Sequence, residues 1–383
     1  MTAWSTGGRS GSDDVLARRA PDGTGPEAAS PDAAQGMREG APDSVAGAWF
    51  VPDGSVAPAR SVWQDGDDAP QEDAMDLAGA AALAQSLHDA IGKVVLGVPD
   101  AVTVAVCAVV SGGHLLIEDV PGTGKTVLAR TIATALGAEL SRIQGHTDLL
   151  PTDVTGVSVY SPQRGDWRFH PGPVFAHVVL LDELNRTPPR TQSALLEAMA
   201  EEQVTVDGAR WPLPRPHFVI ATQNPGQLGT FPLVESQLDR FALSTQLGYP
   251  DVETELDLAM GEGGRDALAK LRPVCSTSEW GRLVDACATV RVASEVAGYA
   301  VRLARATRDA GAVRLGASPR ASITLVRSAQ AHALLEGRSY AIPDDVQAVA
   351  VAGLAHRLVA EAVPDQRAIV VRDAMASVPV PRP

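Results

Sequence analysis

The stretch His114-Leu-Leu-Ile-Glu-Asp-Val-Pro-Gly-Thr-Gly-Lys-Thr126 decides the fold. Its first part is a short apolar run ending at a Pro/Gly loop, which is how a buried strand reads. Residues 126–136 then carry helical spacing. Strand, glycine-rich loop and helix in this order form the setting that a phosphate loop requires. Glycines let the backbone come close and aim its N–H groups at phosphate oxygens, and the helix N-terminus adds a positive dipole end. The expected ATP contacts run through Asp119, Val120, Pro121, Gly122, Thr123, Gly124, Lys125, Thr126 and Val127. Lys125 is expected to reach the β- and γ-phosphates, and the Thr126 hydroxyl to ligate Mg²⁺. Asp119 stands where the strict pattern has glycine. A carboxylate there has to turn away from the nucleotide or repel it.

Downstream, Val178-Val-Leu-Leu-Asp-Glu183 is a second apolar run, ending in two carboxylates. The C-terminal ends of strands in a parallel sheet face the ligand crevice. Asp182 is therefore a candidate to hold Mg²⁺, and Glu183 a candidate general base for the attacking water. Thr187 is expected to N-cap the next helix, with Pro188 in its first turn. A third run, His217-Phe-Val-Ile-Ala-Thr-Gln-Asn224, ends in an amide. Asn224 either holds the attacking water, contacts the γ-phosphate, or is simply the turn residue before Pro225. Arg240 and Arg320 suit the charge of a transferring phosphoryl group, and surface ion pairs are the plain alternative.

Around these anchors, strand-like runs alternate with helical spacing, as in Leu83, Leu87 and Ile91 and again over 102–110. That pattern predicts an α/β fold, a mostly parallel sheet with helices on both faces. Residues 157–173 and 204–214 read as β-hairpins, the second with an Asp207-Gly208 turn. After Pro250 the strand signals stop and an all-α region is expected. Residues 1–76 hold five Arg, no Lys and fourteen Asp+Glu, without apolar periodicity. Such a segment buries too little surface to offset its ordering entropy and is expected to be a disordered acidic tail. The expected division is 1–76 tail, 77–250 nucleotide-binding domain and 251–383 helical domain. Trp49, Phe50 and Trp63 in the tail are either unselected or a docking motif.

The chain has 383 residues and a net charge of −14, which disfavours a nucleic-acid binder. No apolar stretch is long enough to span a bilayer. Cys107, Cys275 and Cys287 show neither CxxC nor metal spacing. Reduced thiols in a cytoplasmic protein, with no zinc, are expected.

Together these motifs resemble an AAA+ ATPase, and more closely the MoxR family, over residues 92–381. The most specific segments are 113–126, 148–156, 181–199, 221–225, 237–241 and 316–329. The resemblance implies that Lys125 and Thr126 are Walker A, Asp182 and Glu183 Walker B, Asn224 sensor 1, Arg240 the arginine finger and Arg320 sensor 2. It implies a C-terminal lid domain and a helix-2 insert at the first hairpin. It also implies a self-assembled ring, usually a hexamer. A chaperone-like role on a protein client follows, often with a von Willebrand A-domain partner. Gly97-Val98 departs from the family's usual Gly-Gln, which touches the adenine pocket. A chelatase-like ATPase subunit, a nucleic-acid ring motor and a non-hydrolysing scaffold are the alternatives. The hairpin residues 163–168 and 207–210 lack the Lys/Arg run that tracking a phosphate backbone needs. Trp167 and Phe169 are expected to meet the client or partner.

Overall fold

The computed structural model describes residues 74–224, 229–360 and 364–381. Residues 1–73 of the expected acidic tail, with Trp49, Phe50 and Trp63, lie outside the described residues, and Asp76 at its expected end N-caps α1. The order begins with α1 (Leu77–Gly92), α2 (Pro99–Val110), β1 (Leu115–Glu118), α3 (Lys125–Ala135), β2 (Leu140–Gln144) and α4 (Pro151–Thr155). It continues with β3 (Gly156–Ser161), β4 (Asp166–Pro171), β5 (Val178–Asp182), α5 (Pro189–Glu201), β6 (Gln203–Val206) and β7 (Ala209–Pro212). Then come β8 (Phe218–Gln223), α6 (Glu235–Leu238) and β9 (Leu243–Thr245).

Five strands form one parallel sheet in the order β2-β5-β8-β1-β9. Strands β1 and β5 are buried along their whole length. Their side chains alternate between two apolar layers, as the period of two requires. Leu115, Ile117, Val178, Leu180, Phe218 and Ile220 join the layer of α1, α2 and α3. Leu116, Val179, Leu181, Val219 and Ala221 join the layer of α5 and the hairpins. Strand β9 was not legible as a strand, because three residues, Leu-Ser-Thr, carry no pattern of their own. Its register against β1 makes it one.

The two hairpins are β3–β4 and β6–β7. Phe169 corrects one expectation. Its ring stacks on Trp211 at 4.4 Å and meets Phe175 edge-on at 5.5 Å, so it lies half-buried against the second layer. Trp167 lies 56% exposed, with the Tyr160 ring 5.5 Å away.

Helix α5 starts one residue later than expected. Pro188 is its N-cap and Pro189 its first residue. The residue before a proline is pushed to extended ψ, so Pro188 (ψ 147°) cannot enter the helix and Thr187 cannot cap it.

Beyond Pro250 lie α7 (Val252–Ala259), α8 (Gly264–Lys270), α9 (Thr277–Ala288), β10 (Arg291–Val292), α10 (Ser294–Ala306), β11 (Val313–Leu315) and α11 (Pro319–Leu335). They are followed by β12 (Tyr340–Ala341), α12 (Pro343–Leu354), β13 (Val359–Ala360) and α13 (Pro364–Ser377). The region is helical apart from two short strand pairs, β10–β12 and β11–β13. Buried side chains of α9–α12 continue the layer of α1 and α2. Among the described residues, no helix is long and apolar enough to cross a membrane.

Candidate functional site

The C-terminal ends of β1, β5 and β8 converge where the strand order reverses, the usual ligand crevice of an open parallel sheet. Strand β1 feeds the loop 119–124. Gly122 and Gly124 take φ of 91° and 92°, and a Cβ at either would meet nothing within 4 Å. The loop thus has the left-handed turns and the open approach that a phosphate needs. Thr126 is half-buried in the first turn of α3. The Asp119 carboxylate does turn away. It accepts from Val120 N at 2.7 Å and from Leu247 N and Gly248 N at 2.8 Å each. Contacts from Asp119 to a nucleotide are left to its main chain.

Lys125 is buried and donates to Asp119 O at 2.9 Å, Val120 O at 2.6 Å and Asn224 Oδ1 at 3.0 Å. Burial lowers its pKa, and the charges of Asp119, Asp182 and Glu183 act against that shift. Asp182 and Glu183 end β5. Asp182 Oδ1 accepts from Thr222 Oγ1 at 2.8 Å, and its other oxygen pairs with Arg142. Glu183 sits at φ 56°, a left-handed conformation that costs a non-glycine residue roughly 1–2 kcal/mol. Three donors hold its carboxylate: Gln144 Nε2, Arg186 Nη1 and Asn224 Nδ2, each at 3.2 Å. Gly145 lets β2 approach this turn closely, since a Cβ there would lie 2.2 Å from Glu183 O.

Lys125, Asp182, Glu183 and Asn224 therefore come together. Arg240 and Arg320 do not join them. Arg240 precedes β9, whose start pairs with Leu115 at the opening of β1, and its guanidinium donates to Leu196 O. That is the opposite end of β1 from the loop that leads to Lys125. Arg320 stands in the first turn of α11, two residues after Ser318, whose hydroxyl donates to Asp239. Burial and the His217 ring hold His114, at that same sheet end, down to about 3, and the Arg320 charge adds to the shift.

Arg142, Gln144, Arg186 and Thr222 escaped the sequence reading. Arg142 and Gln144 are exposed on either side of the buried Ile143, and only the pairing of β2 with β5 puts them against Asp182 and Glu183.

This phosphate loop, carboxylate pair and amide on a five-stranded parallel sheet, followed by a helical region, define an AAA+ ATPase. The profile of the ATPase family associated with various cellular activities (AAA) matches residues 114–243, and that of the AAA lid domain matches residues 305–375. The chain is 37% identical to Chaperone MoxR1 of Mycobacterium tuberculosis, covering 82% of this chain and 84% of that protein. It is 43% identical to the uncharacterized protein YeaC of Bacillus subtilis, covering 82% and 98%. A crystal structure of a candidate ATPase from Cytophaga hutchinsonii superposes with a TM-score of 0.72 at 33% identity, covering 79% and 96%. The chain belongs to the MoxR family of AAA+ ATPases. It is a nucleotide-binding ATPase of chaperone-like type.

Proposed function

We propose that the protein is an Mg²⁺-dependent cytoplasmic ATPase that works as a ring, a hexamer, and remodels or matures a protein complex with a von Willebrand A-domain protein as partner. The parts are a tail (1–76), an AAA+ domain (77–250) and a lid (251–383). Lys125 and the main chain of residues 119–127 bind the phosphates of ATP. Asp182 and Thr126 offer the hard oxygen donors that Mg²⁺ prefers. Bound there, the metal neutralises charge on the phosphates. Glu183 takes the proton of the attacking water, and Asn224 fixes the direction of the Glu183 carboxylate. Arg240 and Arg320 stabilise the transferring phosphoryl group of the neighbouring subunit.

One observation carries the ring reading. The two arginines suited to phosphoryl charge stand together near Asp239, a strand length from the loop that binds the phosphates. A single subunit keeps them from its own nucleotide, and a second copy resolves the mismatch. Free Cys107, Cys275 and Cys287 are buried, which suits a reducing compartment.

The test is steady-state ATPase per subunit against protein concentration, for wild type, Glu183→Gln and Arg240→Ala. Activity should rise steeply with concentration, and both variants should lose it. Flat activity with a silent Arg240→Ala would sink the ring reading.

A further inference from the structure

The segment that carries Arg240 is gripped by the lid, and a buried arginine stands at the centre of the grip. Arg357 ends a short helical turn, 355–357, and its side chain is 2% exposed. Its Nη2 donates to Phe241 O at 2.6 Å and to Asp239 O at 3.4 Å. Its Nη1 donates to Gly353 O at 3.0 Å, and its Nε lies 3.3 Å from Asp239 Oδ1. Ser318, the N-cap of α11, approaches the same carboxylate and donates to it at 2.8 and 2.9 Å. His356, held neutral by burial, donates its Nε2–H to Phe241 O at 3.1 Å. Residues 239–241 are thus held from three lid positions, 318, 356 and 357.

The lid also touches the end of β1 that feeds the phosphate loop. Arg367 on α13 pairs with Glu118 at 3.3 Å, one residue before Asp119. Burying a guanidinium is costly unless it is paired and hydrogen-bonded; here both Nη atoms donate to carbonyls, and Nε makes the ion-pair contact with Asp239 without a hydrogen bond. Apolar packing would attach the lid equally well. A planar fork with several directed partners fixes one orientation.

We infer that Asp239 and Arg357 lock the lid to the Arg240 segment, so that the lid and both arginines move as one rigid piece. The inference rests on the reading of Arg240 as acting on the neighbouring subunit's nucleotide. Asp239 and Arg357 are then positioning residues. Arg367 reports the state of a subunit's own phosphate loop to its lid, and the Asp239–Arg357 lock passes that movement to Arg240.

Subunit mixing tests this. Asp239→Asn keeps the shape of the side chain but removes the charge opposite Arg357. Alone, it should lose about tenfold or more in kcat, because a small misplacement of a catalytic group has effects of that size. Its affinity for an ATP analogue should stay close to wild type, while its melting temperature should fall, because the buried Arg357 is left charged beside a neutral amide. Mixed with Lys125→Ala subunits it should regain activity, since the intact phosphate loop of one meets the intact Arg240 of the other. Arg240→Ala mixed with Lys125→Ala is the reference. If the reference mixture recovers and the Asp239→Asn mixture does not, or if Asp239→Asn alone keeps wild-type kcat, the lock is overturned and the Arg240 reading stands. If the reference mixture stays inactive, the Arg240 reading fails and the lock with it. Should Asp239→Asn not fold, Ser318→Ala takes its place. The expected result is a smaller loss of kcat with the same recovery on mixing, and wild-type kcat overturns the lock.

Discussion

Lys125 Nζ donates to Asn224 Oδ1 at 3.0 Å, across 99 positions of sequence. Lysine only donates and an ionised carboxylate only accepts. The Asn224 amide therefore has one orientation, with oxygen toward Lys125 and nitrogen toward Glu183. It ties the candidate phosphate-binding cation to the candidate base. Asn224→Ala should leave ATP-analogue affinity within a few-fold of wild type. It should lower kcat by roughly 10²-fold, the scale of a displaced general base. Loss of affinity with unchanged kcat would assign Asn224 to binding instead.

Arg142 and Asp182 form an ion pair at the crevice, with the arginine partly exposed. The guanidinium occupies the carboxylate that is to hold Mg²⁺. A half-exposed pair is worth at most about 1 kcal/mol. Arg142→Gln should therefore lower the Mg²⁺ concentration for half-maximal ATPase by up to about fivefold. A raised Mg²⁺ requirement would mean that Arg142 supports the metal site rather than competing with it.

Much of this site was legible because its residues end apolar runs. Val178–Glu183 and His217–Asn224 each announce a strand and place a polar group at its crevice end. The residues that hold those groups were not legible. Arg142 faces Asp182 only because β2 pairs with β5 in one register, and Ser318 faces Asp239 only through the fold of the lid. Spacing within a run reports local structure, whereas contact across 40 or 79 positions depends on topology. Phe169 failed for the same reason: alternation put it on a face with Trp167, and the second hairpin's Trp211 covered it.

That difference between the two hairpin aromatics is measurable. Phe169 is half-buried, stacked on the half-buried Trp211 against the second layer, while Trp167 is mostly exposed. Phe169→Ala should cost about 1–2 kcal/mol of unfolding free energy, less than a fully buried phenylalanine would. Trp167→Ala should stay within about 0.5 kcal/mol of wild type and leave basal ATPase unchanged. If Trp167 meets a client, stimulation by that client should fall in the second variant alone. Equal destabilisation by both, in denaturant titrations, would show that Trp167 also packs in solution.

Asp345 gives the lid a pH dependence of known sign. It is fully buried and takes a bidentate pair from Arg338, 2.6 Å to each oxygen. His332 Nδ1 lies 2.7 Å away and Ile342 N donates at 2.8 Å. Burial pushes this carboxyl up. The hydrogen bonds from Arg338, His332 and Ile342 outweigh burial and hold it down to about 2, against an ordinary 3.8. A folded-state pKa below the unfolded one stabilises the fold above the ordinary value, and the contribution disappears as pH falls from about 4 toward about 2. Its size is about 2 kcal/mol. Asp345→Asn at pH 7 should cost about 3 kcal/mol, because it leaves Arg338 charged beside a neutral amide. Thermal melts of both proteins at pH 7, 4.5 and 3 check this. The gap between them should hold from pH 7 to 4.5 and narrow at pH 3, where the unfolded wild type takes up a proton that the folded state still excludes. A gap that stays constant to pH 3 would mean that Asp345 stabilises the lid by shape and hydrogen bonding, with no contribution from its ionisation.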